Sequence, residues 1–347
     1  MFFIKILTKL KNNYLWYLAL KILIYPLYNF IWINYINKSG KTLFKKFQKK
    51  NIKPAIHIDE SISCRLIRGD PEFYKIAKKI GNELNHDFIV KEINLTKQKK
   101  DLTINRNFYF NIYSNLNEEI KKEIVDFAKS ERNLSIAANY LKVMPIIARI
   151  SLYVNFPTEV QNERSTMLWH KDDFGFKSLD FFIPINELNL DNGAMQYAYD
   201  NDELSIFTRV PEIIQNAKPK ERNKIKTIDF KKYYKEKNLK VFQGKIGDAL
   251  LIDSFRVYHR GGHCNKNYRI MFRISYQTPD SIRVINSKDQ LLKKLNINEN
   301  NIKDDLEKHL FLGNRKFSNK EYFINFLLFF YRMVHRKKFL NHTKNTK

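Results

Sequence analysis

Short apolar stretches rich in β-branched and aromatic residues, separated by turn residues, dominate the middle of the chain. After Pro145 the stretch IIARISLYVNF, residues 146–156, alternates in the way that favours a strand. Five further apolar stretches follow it, at 166–172, 178–185, 193–199, 247–253 and 268–276. Short strands with turn signals between them predict an antiparallel sandwich or barrel over about 146–280.

Helical patterns precede this predicted β region. Residues 70–84 begin with Asp70, a good N-cap residue, and residues 115–131 place apolar side chains on one helical face. A third helix is predicted over 133–142. Residues 88–113 alternate weakly between polar and apolar positions, which predicts short strands.

The chain divides by composition into a β core with extensions. We expect a basic apolar helical segment at 1–55, a helical support region at 56–145, the core at 146–280 and a basic helical tail at 281–347. Within the core, about 201–244 is too polar for a barrel and is interpreted as an inserted lid or loop.

The net charge of +26 first suggests a nucleic-acid partner, but its distribution argues otherwise. Residues 1–58 carry +11 and residues 313–347 carry +8, which leaves only +7 of the +26 for residues 59–312. The basic excess therefore lies at the two ends of the chain and not on the predicted core. Nucleic acid is accordingly not the expected partner.

Both basic ends are also apolar. Residues 14–36 approach the length of a membrane span but are interrupted by Lys21 and Pro26, and residues 321–340 form a shorter apolar helix. Such segments suit an anionic membrane surface, whereas the alternative is two helices that cap the core. The two cysteines form no disulfide framework. We therefore expect a cytoplasmic protein that is peripheral at the inner membrane face.

The stretch 166–172 carries the first candidate chemistry. Because alternate residues of a strand share a face, His170 and Asp172 can reach one cation together, while Lys171 and Asp173 point away. Two histidines and one carboxylate that leave open coordination positions suit non-haem Fe(II). A His-x-Asp pair alone is weak evidence, and it needs a further ligand from elsewhere in the chain.

A candidate for that ligand lies in GDALLIDSFRVYHRGGHCNKNYRIMFRISY, residues 247–276. This stretch contains an apolar strand, His259, a glycine-rich turn and then a strand that carries Arg269. His263 follows four residues after His259 and is a rival ligand, in which case Arg273 takes the place ten residues further on. The spacing of the residues leaves both choices open.

The combined order of these motifs resembles the Fe(II)/2-oxoglutarate dioxygenases, most closely the phytanoyl-CoA dioxygenase family. The His-x-Asp pair, the turn in LNLDNGAMQY at 188–197 and the run that ends at Arg269 carry the resemblance, which covers about 146–276. It implies an α+β chain whose core is a double-stranded β-helix, a jelly-roll or cupin-like fold, with helical N- and C-terminal extensions.

The resemblance also implies roles for individual residues. His170, Asp172 and His259 would form the catalytic centre and bind Fe(II). His259 is preferred to His263 because it directly follows the apolar strand and precedes the glycines, as the family motif requires. Arg269 would pair with the distal carboxylate of 2-oxoglutarate, since a planar guanidinium binds a carboxylate through two parallel hydrogen bonds. The second co-substrate would be O2.

Further inward-facing residues are candidates for binding. Tyr153 and Asn155 share one strand face and could contact the co-substrate or substrate, and Ser275 is a second candidate for the co-substrate. Arg273 could bind an anionic group of the substrate, and Met195 could line the pocket. For each residue the alternative is an ordinary structural role inside the barrel.

The function implied is an Fe(II)- and 2-oxoglutarate-dependent oxygenase that hydroxylates a small or lipid-linked organic substrate and releases succinate and CO2. An anionic substrate is one option. Two alternatives stay open: a non-catalytic jelly-roll binding protein, and a nucleic-acid demethylase of the same superfamily. The sequence does not identify the substrate, and desaturation, epimerisation and ring closure stay open beside hydroxylation.

Overall fold

The computed structural model describes most of the predicted core and the helices that precede it. The described residues are 38–50, 52–99, 101, 107–160, 162–172, 177–198, 225–231, 238–279 and 291–313. The apolar end segments 14–36 and 321–340 lie outside them, so their predicted attachment to a membrane surface stays a prediction. Within the described ranges, no helix has both the length and the apolar character that a membrane crossing requires.

Two antiparallel sheets form the core of the described chain. The strands are β1 Cys64–Ile67, β2 Tyr109–Asn111, β3 Ile146–Asn155, β4 Ser178–Pro184, β5 Met195–Ala198, β6 Leu239–Phe242, β7 Ala249–Ile252, β8 Tyr258–Arg260 and β9 Arg269–Gln277. The larger sheet has the order β1-β7-β4-β9-β3-β2 and the smaller one β6-β5-β8. This is the double-stranded β-helix, and the predicted fold class is confirmed.

Strand β9 shows how each strand of the larger sheet divides its side chains between two environments. Ile270 and Phe272 pack in the cluster between the sheet and the helices, whereas Met271 packs in the cluster on the other face, with residues of both sheets. Arg269 and Arg273 share the parity of Met271 and so stand on the inner face. Because both faces are covered, all the residues of β9 are buried.

Helices cover the outer face of the larger sheet. They are α1 Lys38–Gln48, α2 Pro71–Glu83, α3 His86–Lys99, α4 Glu118–Lys129 and α5 Glu131–Leu141. The side chain of Asp70 caps α2 by accepting hydrogen bonds from the backbone N–H groups of Glu72 and Phe73, as the sequence predicted. A short helix α6, Thr227–Phe230, lies in the predicted lid. Near the end of the described chain, helix α7, Asp305–Glu307, is followed directly by a π-helical turn.

The structure corrects the prediction of short strands over 88–113. Its first part, residues 88–99, belongs to helix α3, and the short strand β2 forms near its end. Ile89 and Ile93 are buried four residues apart, which is the spacing of one helical face. The helical burial of these residues outweighs the weak alternation of the sequence.

The predicted lid over 201–244 extends too far along the chain. Its last part is strand β6, which pairs with β5 in the smaller sheet. Phe242 of β6 is fully buried in the inner cluster, which is the apolar cluster that also contains Met271. Strand β6 therefore belongs to the barrel and not to the lid. Residues 199–224 and 232–237 lie outside the described residues, and the lid proper stays a prediction there.

Candidate metal centre

Three side chains that are distant in sequence meet on the inner side of the fold. Their potential ligand atoms, from His170, Asp172 and His259, all lie within 4.8 Å of one another. Across the described parts of the chain, this is the single cluster of three or more such residues whose geometry could hold a metal ion. Both imidazoles are buried, so water has little access to this cluster.

Backbone hydrogen bonds hold the cluster together. The N–H of His170 donates to the carbonyl of His259 over 3.0 Å, and the N–H of His259 donates back over 2.9 Å. The N–H of Asp172 donates to the carbonyl of Ser254 over 2.8 Å. The strand predicted over 166–172 is therefore reduced to isolated bridges, and these bridges join the two halves of the sequence motif.

Hydrogen bonds at Nδ1 of the two imidazoles determine which ring nitrogen would bind a metal. Nδ1 of His170 lies 2.7 Å from the carbonyl oxygen of Leu168, and Nδ1 of His259 lies 3.1 Å from that of Val257. Because a carbonyl oxygen only accepts, each Nδ1 carries a proton, and in the neutral ring Nε2 is then the nitrogen with the lone pair. Burial lowers the pKa of His259, which favours the neutral ring that a metal ligand requires.

The carboxylate of Asp172 has two differently placed oxygens. Its Oδ1 lies 3.9 Å from Nε2 of His170, whereas its Oδ2 accepts a hydrogen bond from Nη2 of Arg273 over 2.8 Å. Burial by itself would raise the pKa of Asp172, but the guanidinium and the two imidazoles lower it to about 2. Asp172 is thus an ionised carboxylate at neutral pH.

Arg273 has partners other than those predicted. Its Nε donates to Oδ1 of Asp180 over 3.0 Å, its Nη2 lies 3.0 Å from Oδ2 of the same residue, and its guanidinium stacks over the ring of Phe182. The guanidinium is already neutralised by two carboxylates, so the structure does not favour the predicted contact with an anionic substrate. Sequence reasoning missed Asp180, although a lone aspartate in the apolar strand β4 was a usable signal.

Arg269, the residue predicted to bind 2-oxoglutarate, retains a free donor. Its Nε donates to Oδ1 of Asn155 over 3.1 Å, while its buried Nη1 has no hydrogen-bond partner among the described residues. A Cβ at Gly261 would lie only 2.6 Å from Nη2, so the absence of a side chain there leaves room for the guanidinium. A buried cation with an unused donor fits the carboxylate of a ligand.

The two glycine-containing turns of the motif pack against each other. A Cβ on Gly193 would lie 2.6 Å from the carbonyl oxygen of Gly262, and one on Gly262 would lie 2.4 Å from that of Ala194. Gly193 also has a φ of +77°, which favours glycine. These close approaches explain why both turns use glycine. The pairing of β5 with β8 places Tyr197 opposite His259.

The surroundings of His263 differ from those of the three clustered residues. Burial and the nearby guanidiniums of Arg164 and Arg260 lower its pKa. The cluster of potential ligands includes His259 and does not include His263. The geometry therefore favours the choice made from the family motif, in which His259 is the third ligand.

The other predicted binding residues lie on the inner side, with structural partners of their own. Burial raises the pKa of Tyr153, and the two arginines of β9 act on it in the opposite direction, so the phenol lies within their electrostatic reach. The buried hydroxyl of Ser275 accepts a hydrogen bond from the side-chain amide of Gln277 over 3.2 Å. Met195 packs in the inner cluster. Their binding roles stay predictions.

A second group of contacts was not found from the sequence. It joins helix α6 of the predicted lid to residues next to His170 and His259. The ring of Trp169 stacks on Phe230 of α6 with the centroids 4.2 Å apart, and its Nε1 donates to Oγ1 of Thr227 over 3.1 Å. Glu163 accepts from the N–H of Thr227 over 2.7 Å and pairs with Arg260. Trp169 therefore has the packing role that its burial implies, and α6 is anchored next to the cluster.

A two-histidine, one-carboxylate cluster and an inward arginine on a double-stranded β-helix define the class of iron- and 2-oxoglutarate-dependent oxidoreductases. The model of the phytanoyl-CoA dioxygenase family matches residues 68–270, which is more than half of the chain. The chain belongs to this family, and the predicted resemblance is confirmed.

The chain is also similar to solved structures of low identity. The epimerase SnoN from nogalamycin biosynthesis is 9% identical, with 68% of this chain and 83% of that chain covered and a TM-score of 0.37. AviO1 from Streptomyces viridochromogenes is 14% identical, covering 64% and 92%, with a TM-score of 0.37. HygX from Streptomyces hygroscopicus is 8% identical, covering 63% and 84%, with a TM-score of 0.38. No curated protein matches the chain.

The donor atoms of the cluster fit the cofactors that the family implies. Two Nε2 lone pairs and one carboxylate oxygen are the ligand set of non-haem Fe(II), and the unpartnered Nη1 of Arg269 suits the distal carboxylate of 2-oxoglutarate. The predicted cofactor set of Fe(II), 2-oxoglutarate and O2 therefore agrees with both the family and the site.

Proposed function

We propose that the chain is an Fe(II)- and 2-oxoglutarate-dependent oxygenase that hydroxylates a small or lipid-linked organic molecule. The observation that carries the proposal is the cluster of His170, Asp172 and His259, in which each imidazole donates from Nδ1 to a backbone carbonyl and so presents Nε2 as its ligand atom. When bound, Fe(II) would supply the activation of O2. One oxygen atom of O2 would enter succinate, released with CO2 from 2-oxoglutarate, and the other would enter the hydroxyl group of the product.

The residues of the chain bind and orient the reactants in this proposal. His170, Asp172 and His259 hold the metal, and Arg269 holds the far carboxylate of 2-oxoglutarate, while Asn155 fixes the guanidinium through its Nε. Because these groups are buried, they keep their orientation without competition from water, which strengthens each electrostatic contact.

Conversion of 2-oxoglutarate to succinate tests the proposal. Purified protein with Fe(II), ascorbate and 2-oxoglutarate should form succinate, and His170→Ala or Asp172→Ala should each abolish it, because each removes a ligand atom. His57→Ala removes an exposed histidine and is the matched control that should retain turnover. Full turnover in both ligand variants would defeat the assignment of the site. Binding of Fe(II) and 2-oxoglutarate with no succinate would favour a non-catalytic binding protein.

Attachment to a membrane surface is the second part of the proposal and would suit a lipid-linked substrate. The basic apolar ends, 14–36 and 321–340, support it. The chain should float with anionic liposomes, and removal of residues 1–37 should weaken this. The truncation stops before α1, since Phe44 and Phe47 of that helix pack in the core. Unchanged flotation of the truncated protein would remove the N-terminal segment from the proposal.

A further inference from the structure

The inner face of strand β9 carries a second buried arginine that the proposed chemistry does not use. Arg273 lies four residues beyond Arg269 and contacts Asp172 directly. We propose that Arg273 is a positioning residue that makes Asp172 a ligand through one oxygen only. The inference rests on the proposed metal site and concerns how that site is shaped.

The two oxygens of Asp172 are distinguished by their neighbours. A carboxylate can bind a metal through one oxygen or through both. Oδ1 is on the side of the histidines, 3.9 Å from Nε2 of His170, and is available to a metal there. Oδ2 is held at 2.8 Å by Nη2 of Arg273. The hydrogen bond from Arg273 would therefore disfavour chelation by both oxygens, which would leave coordination positions open for the co-substrates.

Arg273 can impose this orientation because it is itself held in place. Asp180 on the neighbouring strand β4 accepts from its Nε over 3.0 Å, and Phe182 lies under the guanidinium at 4.8 Å. The strand register pairs Phe182 with Arg273 and Asp180 with Ser275, so Asp180 is a diagonal neighbour of the arginine. Asp180 is fully buried and acts on the metal site through Arg273.

Titration with Co(II), a redox-stable substitute for Fe(II), tests the role of Arg273. Arg273→Gln should weaken Co(II) binding roughly 10- to 100-fold, the range found when a residue that supports a ligand is removed. It should also change the visible spectrum of bound Co(II), because the second oxygen of Asp172 becomes free to coordinate. Arg273→Lys keeps the charge and should restore part of the affinity.

The double variant Arg273→Gln/Asp180→Asn provides a second test if the single variant Arg273→Gln does not fold. It removes one positive and one negative charge together, so no buried aspartate at position 180 is left without its partner. This variant should fold and still show the weakened binding and the altered spectrum. Wild-type affinity and an unchanged spectrum in a folded variant would overturn the inference.

Arg269→Gln is the matched control, because it removes the other buried arginine from the same face of the same strand. It should leave Co(II) affinity near the wild-type value and weaken the binding of 2-oxoglutarate to the Co(II)-loaded protein. If instead Arg273→Gln weakens only 2-oxoglutarate binding, Arg273 is a co-substrate ligand and the inference is wrong. If the wild-type chain binds no Co(II), the proposed function fails rather than the role of Arg273 alone.

Discussion

Replacing His259 by alanine should remove metal binding, whereas replacing His263 should leave it close to that of the wild type. His259 supplies one of three clustered ligand atoms, and its neutral Nε2 points into the cluster because Nδ1 donates to Val257. The loss should exceed the roughly 10- to 100-fold effect typical of residues that only support a ligand. Calorimetric titration with Co(II) and the succinate assay measure the two consequences.

His263→Ala is a stringent control for His259→Ala, because the two histidines lie four residues apart on either side of the same Gly-Gly turn. His263→Ala removes an identical side chain at nearly the same place in the sequence, so an indirect effect on the turn would appear in both variants. A reversed pattern, with binding lost only in His263→Ala, would make His263 the ligand. The arginine ten residues further on would then be Arg273, and the assignment of Arg269 to the distal carboxylate of 2-oxoglutarate would also be wrong.

Replacing Arg269 by glutamine should sharply weaken the binding of 2-oxoglutarate to the metal-loaded protein. Truncating one partner of a buried, hydrogen-bonded charge pair costs about 2–5 kcal/mol. Since about 1.4 kcal/mol corresponds to a factor of ten, the dissociation constant should rise by roughly 30- to 4,000-fold. Titration of 2-oxoglutarate into the Co(II)-loaded protein measures this change.

Two further variants separate the charge of Arg269 from its placement. Arg269→Lys keeps the charge but loses the fork of parallel donors, so its effect should be intermediate. Asn155→Ala removes the group that accepts from Nε and should produce a smaller loss than Arg269→Gln. An unchanged dissociation constant in Arg269→Gln would show that the distal carboxylate binds elsewhere.

The sequence predicted the parts of the site that depend on local parity and on motif order. Alternation along β9 placed Arg269 and Arg273 on one face, and the spacing of His170 and Asp172 placed both on one side. The structure also agrees with the start of helix α2 at Asp70, because its capping depends on residues only two or three positions away. These features require no knowledge of how distant segments pack.

The partners of Arg273 could not be found in the same way. Its contacts with Asp172 and Asp180 join positions 101 and 93 residues apart, and they depend on strand order and register. The choice between His259 and His263 was likewise open, because the glycines between them permit either side chain to turn inward. The backbone bridge between His170 and His259 favours the first of them.

The buried ion pairs of Arg273 are better explained by the site than by stability. Desolvation of buried charges offsets much of the attraction between them, so such a pair is weak evidence for a gain in folding free energy. Burial of Arg273 would lower its pKa, but Asp180 and Asp172 raise it above its ordinary value, so the guanidinium stays charged. Its position beside the Oδ2 of Asp172 is consistent with a role in orienting that carboxylate.

A crystal structure of the protein with Ni(II) and 2-oxoglutarate would test the central claim most directly. We expect the metal to be bound by Nε2 of His170, Nε2 of His259 and Oδ1 of Asp172, with the distal carboxylate of 2-oxoglutarate on Arg269. A metal bound by His263 in place of His259, or a distal carboxylate on Arg273, would contradict this account.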